Sequence, residues 1–299
     1  MTTTHGLPPA TAAPPPPAAP AARHRGGRRS LRRVPAYASL TVVALLVLVP
    51  FGWMVSASLK RDNEVFTIPV EWIPRELRWS NFVDIWERIP MLTYLGNSAL
   101  LSVAVTFLQV LTGSFAAYGF AKVRFPGRDA LFLAYIATIA VPWQAYMVPQ
   151  YIMMQRAELT DTYWSIILLQ AFGAFGVFLM RQYYMSIPDE LCEAARIDGL
   201  SEYGIYLRVV LPLSKPALAS LALLTLVTTW NDYMGPFIYL TSNELWTVQL
   251  GLRSFIGQYE AEYAMIMTGA VLSVLPILVI FLFGQRYFIR GIATTGLKG

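Results

Sequence analysis

The sequence predicts an all-α membrane protein with six transmembrane helices, and three observations carry that prediction. Of its 299 residues, 56% are hydrophobic and only 14% are charged, against about 45–50% and about 25% in an ordinary soluble domain. Charge this sparse cannot cover a water-facing surface. The apolar residues are also concentrated in six runs, near 36–59, 95–119, 129–154, 162–180, 216–240 and 264–288. Each is long enough to cross a hydrocarbon core about 30 Å thick, and backbone in lipid must satisfy its own hydrogen bonds, so each run is expected to be helical. Basic residues, finally, alternate between the connections. With the N-terminus inside, 16 of the 23 lysines and arginines fall on the inner side, the bias that sets membrane orientation. These numbers speak against a soluble enzyme, a nucleic-acid module and a disulfide-rich secreted domain.

Residues 1–34 form a Pro/Ala/Arg-rich tail that includes Pro14-Pro15-Pro16-Pro17. Such a segment buries too little apolar surface to offset its ordering entropy and is expected to be disordered and cytoplasmic; residues 35–299 form the transmembrane domain. Arg23, Arg25, Arg28, Arg29, Arg32 and Arg33 crowd before span 1 and account for the net charge of +5. A basic cluster beside an apolar span reads as a topology signal or an anionic-lipid contact, with no nucleic acid as partner. The tail is too long for a signal-peptide n-region and the first run too long for an h-region, so span 1 is expected to be retained. Trp53, Trp72, Trp79 and Trp86 gather at its outer end and in the first outer loop, and Tyr183 and Tyr184 lie at the inner end of span 4, as amphipathic rings at headgroup level do. Trp79 and Trp86 read equally well as exposed loop aromatics. Pro142 and Pro149 in span 3, Pro236 late in span 5 and Pro276 in span 6 are expected to kink or unwind their helices. Both termini are then cytoplasmic, with the chain in a cell membrane.

Catalytic constellations are scarce. The single cysteine, Cys192, allows no internal disulfide and no Cys-rich metal site, and both histidines, His5 and His24, lie in the tail. No Gly-x-x-x-x-Gly-Lys-Ser/Thr loop is present, so the chain offers no phosphate cradle for ATP. The polar residues inside the spans are the remaining candidates, because such groups are costly in lipid. Gln109 and Gln170 suit helix–helix hydrogen bonds, and Gly173 and Gly176 suit close packing. Gln144 sits beside the Pro142 break, where a cavity fits. Trp230, Asn231 and Asp232 place an aromatic ring, an amide and a carboxylate together, which suits the apolar face and hydroxyls of a sugar; a structural hinge is the other reading.

One connection is patterned. Between spans 4 and 5, residues 181–215 form the long cytoplasmic loop. Ser186-Ile187-Pro188-Asp189-Glu190 has the marks of a helix start, with a possible cap, a proline near the first position and acids in the first turn. The helix runs through Leu191-Cys192-Glu193-Ala194-Ala195-Arg196-Ile197-Asp198 to Gly199, a natural left-handed residue. Ser201-Glu202 begins a second short helix that ends near Leu211-Pro212. By helical spacing Leu191, Ala194, Ala195 and Asp198 share a small, shallow face fit for docking.

Glu193-Ala194-Ala195, the glycine six residues after the glutamate at Gly199, and Val210-Leu211-Pro212 a dozen further on resemble the EAA loop of ABC-importer permeases. Glu-Ala-Ala alone arises by chance; the compound pattern in this loop does not. Trp230-Asn231-Asp232-Tyr233 is similar to the Trp-Asn-acid signature of carbohydrate-type permeases. Gly296-Leu297-Lys298-Gly299 is similar to the Lys-Gly terminus of the subfamily related to the six-span partner of the maltose permease. The resemblance covers nearly the whole body, from span 1 to the end. It implies a type I ABC importer (MetI-like) permease fold with a cytoplasmic coupling helix between helices 4 and 5. It also implies a role as a transport subunit for sugars or oligosaccharides with no ATPase site of its own.

The same resemblance implies that Glu193, Ala194, Ala195, Asp198, Gly199, Leu211 and Pro212 couple the chain to a separate ATPase dimer that binds ATP-Mg, and that no cofactor is held in this chain. Glu193 is then the polar contact and Gly199 the turn. Its further partners are a second homologous permease subunit in a heterodimer, an extracellular solute-binding protein touching the outer loop Thr241–Tyr263, and membrane lipid. A phosphorylated polyol is the alternative cargo. From a different class, a secondary transporter would need ion-relay residues in the spans, and only Asp232 is near one.

Overall fold

The computed structural model describes residues 34–257 and 261–293. The tail expected over 1–34, Val34 excepted, and the terminus Gly296-Leu297-Lys298-Gly299 lie outside the described residues. The chain divides into two units, residues 1–50 and 51–299. In the first, the described part is the beginning of helix α1 (Val34–Ser58), apolar and exposed at every position from Pro35 to Pro50. A helix apolar all round has no water-facing side, which is the composition of a lipid-facing span.

The second unit follows the end of α1 with α2 (Asn81–Arg88), α3 (Met91–Lys122), α4 (Arg128–Ala137), α5 (Met147–Arg156), α6 (Tyr163–Gln170) and α7 (Ala174–Met185). Then come α8 (Asp189–Ile197), α9 (Glu202–Leu213), α10 (Lys215–Trp230), α11 (Met234–Tyr239), the single turn α12 (Val248–Gly251) and α13 (Tyr263–Ala293). Helix α3 is the spine: it packs against α7 and α10, and α10 packs in turn on α13. Its buried face carries Ser98, Ser102, Gly113, Ser114 and Ala117, while Leu100, Val103, Phe107, Leu111 and Phe115 point outward. Met91, Tyr94, Leu101, Val105 and Tyr118 are buried on this helix as well, and the small residues of the buried face let neighbouring helices approach closely. Gly113 shows the effect directly, since a Cβ there would lie 3.5 Å from the backbone of Gly176.

Among the described residues four helical segments are long and apolar enough to span a membrane: Pro35–Ser58, Met91–Lys122, Tyr163–Met185 and Tyr263–Gln285. A fifth is reached if Glu202–Leu213 and Lys215–Trp230, bent by 79°, count as one. The expected count of six is not reached by helix length, and the shortfall lies at the third run, where Pro142 and Pro149 were expected to kink or unwind the helix. That run is two helices of 10 residues each, α4 and α5, about 15 Å apiece at 1.5 Å per residue. Between them Val141 and Pro142 are extended, with ψ of 113° and 138°. Proline has no N–H to offer and pushes the residue before it out of the helical region. Other ends shift as well. Span 4 continues to Met185, beyond the expected 180, and is interrupted at Ala171–Gly173, whereas span 5 stops at Trp230 and restarts at Met234.

The loops are tied down by specific groups. Asn81, buried beside the end of α1, donates from Nδ2 to the carbonyls of Ser58 (2.8 Å) and Lys60 (2.9 Å). The buried Lys60 ammonium lies 4.3 Å from the Trp53 ring centroid and donates to the carbonyl of Glu71. Asp161 holds the start of the loop after α11: its Oδ1 accepts from the N–H groups of Thr241 and Ser242, each at 2.8 Å, and its Oδ2 from the Ser242 hydroxyl. Those donors, led by the Ser242 hydroxyl, hold the Asp161 carboxyl down at about 2.

Candidate functional site

The loop between α7 and α10 folds into two short helices joined at a single glycine. Helix α8 follows Pro188 and carries Asp189 and Glu190 in its first turn, where acids complement the exposed N–H groups. It ends at Gly199, whose φ of +82° belongs to the left-handed region. The N–H groups of Gly199 and Leu200 donate to the carbonyls of Arg196 and Ala195, each at 3.0 Å. This paired closure is the one that a glycine after a helix makes possible. Ser201 then caps α9, its Oγ accepting from the Gly204 N–H at 3.3 Å. Ser186, expected as a possible cap for α8, instead donates from Oγ to the carbonyl of Tyr183 at 2.7 Å and closes the end of α7.

The face expected to be shared by Leu191, Ala194, Ala195 and Asp198 divides. Ala195 turns inward with Cys192 against the core, and Leu191, Glu193, Ala194, Ile197, Asp198 and Gly199 stay exposed. Ile197 is 86% exposed, an apolar side chain standing free at the end of α8. Pro212 is exposed and Leu211 half-buried at the end of α9.

Three residues four apart on α3 hold this helix pair. Ser114 shares hydrogen bonds with the hydroxyls of Tyr184 on α7 (2.6 Å) and Tyr206 on α9 (2.9 Å). Tyr118 donates to Glu202 Oε2 at 2.6 Å, and Glu202 also accepts from Arg196 Nε at 2.7 Å, which bridges α8 and α9. Lys122, its side chain only 3% exposed, donates to the carbonyl of Ile187 at 2.7 Å and pairs with Asp189 at 2.5 Å. The hydrogen bond from Lys122 holds the Asp189 carboxyl below its ordinary range, and the Arg196 guanidinium does the same for Glu202. Burial pushes the Cys192 thiol up, which disfavours its thiolate form.

A second constellation lies where three interrupted segments meet. The turns between α4 and α5, the Ala171–Gly173 break and the Asn231–Tyr233 break surround two adjoining cavities of about 380 and 290 Å³, which share Tyr146, Leu169 and Gln170 as lining. Gln144 and Asp232, expected on a substrate path, both line the larger one. Asp232 accepts from Gln170 Nε2 at 2.8 Å and from the Gly235 N–H at 3.0 Å. Trp230 and Asn231 are not among the lining residues. Trp230 is buried and donates from Nε1 to Ser273 at 3.3 Å, and the Asn231 amide bonds its own helix at Val227. Gln109 accepts from the Thr225 hydroxyl at 2.6 Å, so Gln109 and Gln170 both bond between helices. A Cβ on Gly173 would fall on the Gln109 side chain.

The sequence reading missed the α3 ladder, although Ser114, Tyr118 and Lys122 at helical spacing were a visible signal. Asp161 carried no local signal, because its partners lie 80 residues further along the chain. Broken spans around a chamber, with a helix pair tied to α3 by hydrogen bonds and an ion pair, are the parts of a membrane transport component. The chain belongs to the family described as binding-protein-dependent transport system inner membrane component, which it matches over residues 109–294. It is 34% identical to the arabinooligosaccharides transport system permease protein AraQ of Halalkalibacterium halodurans, over 86% of this chain and 93% of that one. It is 33% identical to the sn-glycerol-3-phosphate transport system permease protein UgpE of Pectobacterium atrosepticum, over 86% and 94%. Its fold is similar to a chain of a bacterial ABC transporter involved in the import of the acidic polysaccharide alginate, with a TM-score of 0.74 at 24% identity over 88% and 98% of the two chains. The chain is thus a multi-pass permease component with the ABC-importer permease fold.

Proposed function

We propose that this chain is the permease subunit of an ATP-driven, binding-protein-dependent importer of sugars or oligosaccharides. It forms half of the translocation pathway beside a second homologous permease subunit. Both termini and the α8–α9 pair face the cytoplasm, where the pair docks on a separate ATPase dimer that binds ATP-Mg. An extracellular solute-binding protein delivers cargo against the outer loop, Thr241 to Tyr263. The observation that carries this reading is the helix pair itself: two short helices closed at Gly199 and fastened to α3 by Ser114, Tyr118 and Lys122. Such a body moves as a unit, and Glu193, Ala194, Asp198, Ile197 and Pro212 are exposed on it. Closure of the ATPase dimer then rocks the spans between inward-open and outward-open states.

The experiment replaces Gly199 with valine in the assembled transporter. A β-branched residue is strained at φ +82°, so the turn reorients and α9 leaves its place. Substrate-stimulated ATP hydrolysis is expected to fall about tenfold, a coupling loss of the size typical between linked sites, while the chain still inserts in the membrane. Normal transport with residues 186–214 scrambled would sink the assignment. A phosphorylated polyol is the second reading of the cargo, favoured by the glycerol-3-phosphate permease relative.

A further inference from the structure

The chamber's composition separates these two kinds of cargo. Backbone that leaves the helical path at membrane depth is tolerated only where it is buried in protein or lines a water-filled cavity, and transporters place substrate at such discontinuities. Here three discontinuities converge on the two adjoining cavities, which together form the chamber. Its lining offers amides from Gln144, Gln150 and Gln170, hydroxyls from Thr138 and Thr228, and one carboxylate, Asp232. Among the described residues that line it there is no lysine, arginine or histidine. Tyr239, almost fully buried at the edge of the larger cavity, has a hydroxyl with no partner among the described residues. A buried hydroxyl left alone is costly unless water or a ligand meets it.

We propose that this chamber is a charge filter, which admits uncharged polyhydroxyl solutes and turns away phosphorylated or uronate-bearing ones, with Asp232 as the residue that sets its sign. The inference rests on the reading above that this chain forms half of the translocation pathway, and it places the chamber on that path. A carboxylate has about four acceptor positions, and two of those on Asp232 are taken, by Gln170 and Gly235. The remainder are free to accept further hydrogen bonds, and the hydroxyls of a neutral sugar are donors. An anion entering the same space loses hydration, meets a like charge and finds no cation among the described lining residues of this chain to offset either cost. Gln170 holds Asp232 across the gap between α6 and α10 and positions the charge.

The test needs no knowledge of the cargo. Thr228 lines the smaller cavity and bonds only carbonyls of its own helix, at Leu224 and Thr225, so Thr228→Cys is a mild change. The native thiol is removed by Cys192→Ala. In the assembled transporter in membranes, this thiol is reacted with trimethylammonium-ethyl, hydroxyethyl and sulfonatoethyl methanethiosulfonates. These are matched cationic, neutral and anionic probes, each calibrated on a free thiol in solution. The expected result is a cation-over-anion rate ratio about tenfold above the calibration. Asp232→Asn, which keeps the shape and the bond to Gly235, should bring the ratio back to the calibration, and Asp232→Glu should retain it. A ratio at the calibration in the parent, or one that Asp232→Asn leaves unchanged, overturns the filter while reaction with the neutral probe keeps the chamber on a watered path. A thiol unreactive to all three probes overturns the placement of the chamber on the pathway, and the filter with it.

Discussion

The α8–α9 pair and the chamber are built on opposite plans from the same helices. Around the pair, the buried polar groups are matched. Lys122 has Asp189 and the Ile187 carbonyl, Tyr118 has Glu202, and Ser114 has two tyrosine hydroxyls. Around the chamber the helices are interrupted, glycines replace side chains, and a tyrosine hydroxyl stands unmatched. The difference teaches where stiffness is useful: a segment that transmits displacement must not yield, and a passage that changes shape must.

The largest expected effect tests the stiff side. Lys122→Met leaves the Ile187 carbonyl without its donor and Asp189 without its partner, which costs about 1–3 kcal/mol. ATP hydrolysis that responds to substrate should fall about tenfold, and thermal unfolding of the purified complex should move to lower temperature. Next comes the yielding side. Gln170→Leu frees Asp232 in the chamber, and uptake should fall about fivefold while basal ATP hydrolysis and the unfolding temperature barely move. Equal loss of coupling in both variants would erase the distinction between the regions. Tyr118→Phe is milder, since Glu202 keeps Arg196; a loss of about 1 kcal/mol in stability is expected, with transport reduced less than twofold.

The smallest effect lies in the loop clamp. The Asp161 carboxyl is held at about 2, below its ordinary 3.8, so its contribution is fully present above the unfolded value. That contribution is lost as pH falls through the folded one. Unfolding temperature measured from pH 5 down to pH 2 should drop more steeply in the parent than in Asp161→Asn, which is already lowered at pH 7.

Much of this was legible because local rules govern it. The apolar runs follow from lipid, the turn at Gly199 from the freedom of glycine, and the start of α9 from the capping hydroxyl of Ser201. Pro142 marked the interruption of the third run, but its extent depends on the neighbouring turns and not on one residue. The inward turn of Ala195 was not legible, since the small residues of α8 look alike until α3 and α9 declare which side is the core. Trp230 and Asp232, two residues apart, were read as one site. The helix ends between them, so one side chain enters the bundle and the other the chamber.

The 79° bend between α9 and α10 has a mechanical consequence. Its corner is Ser214, fully buried, with Oγ fixed to the Val210 carbonyl at 2.7 Å. Two stiff arms meeting at a fixed, nearly square corner form a bell crank. A push along the short arm reappears on the long arm turned through almost a right angle, and the long arm ends at the Asn231–Tyr233 break, where Asp232 lines the chamber.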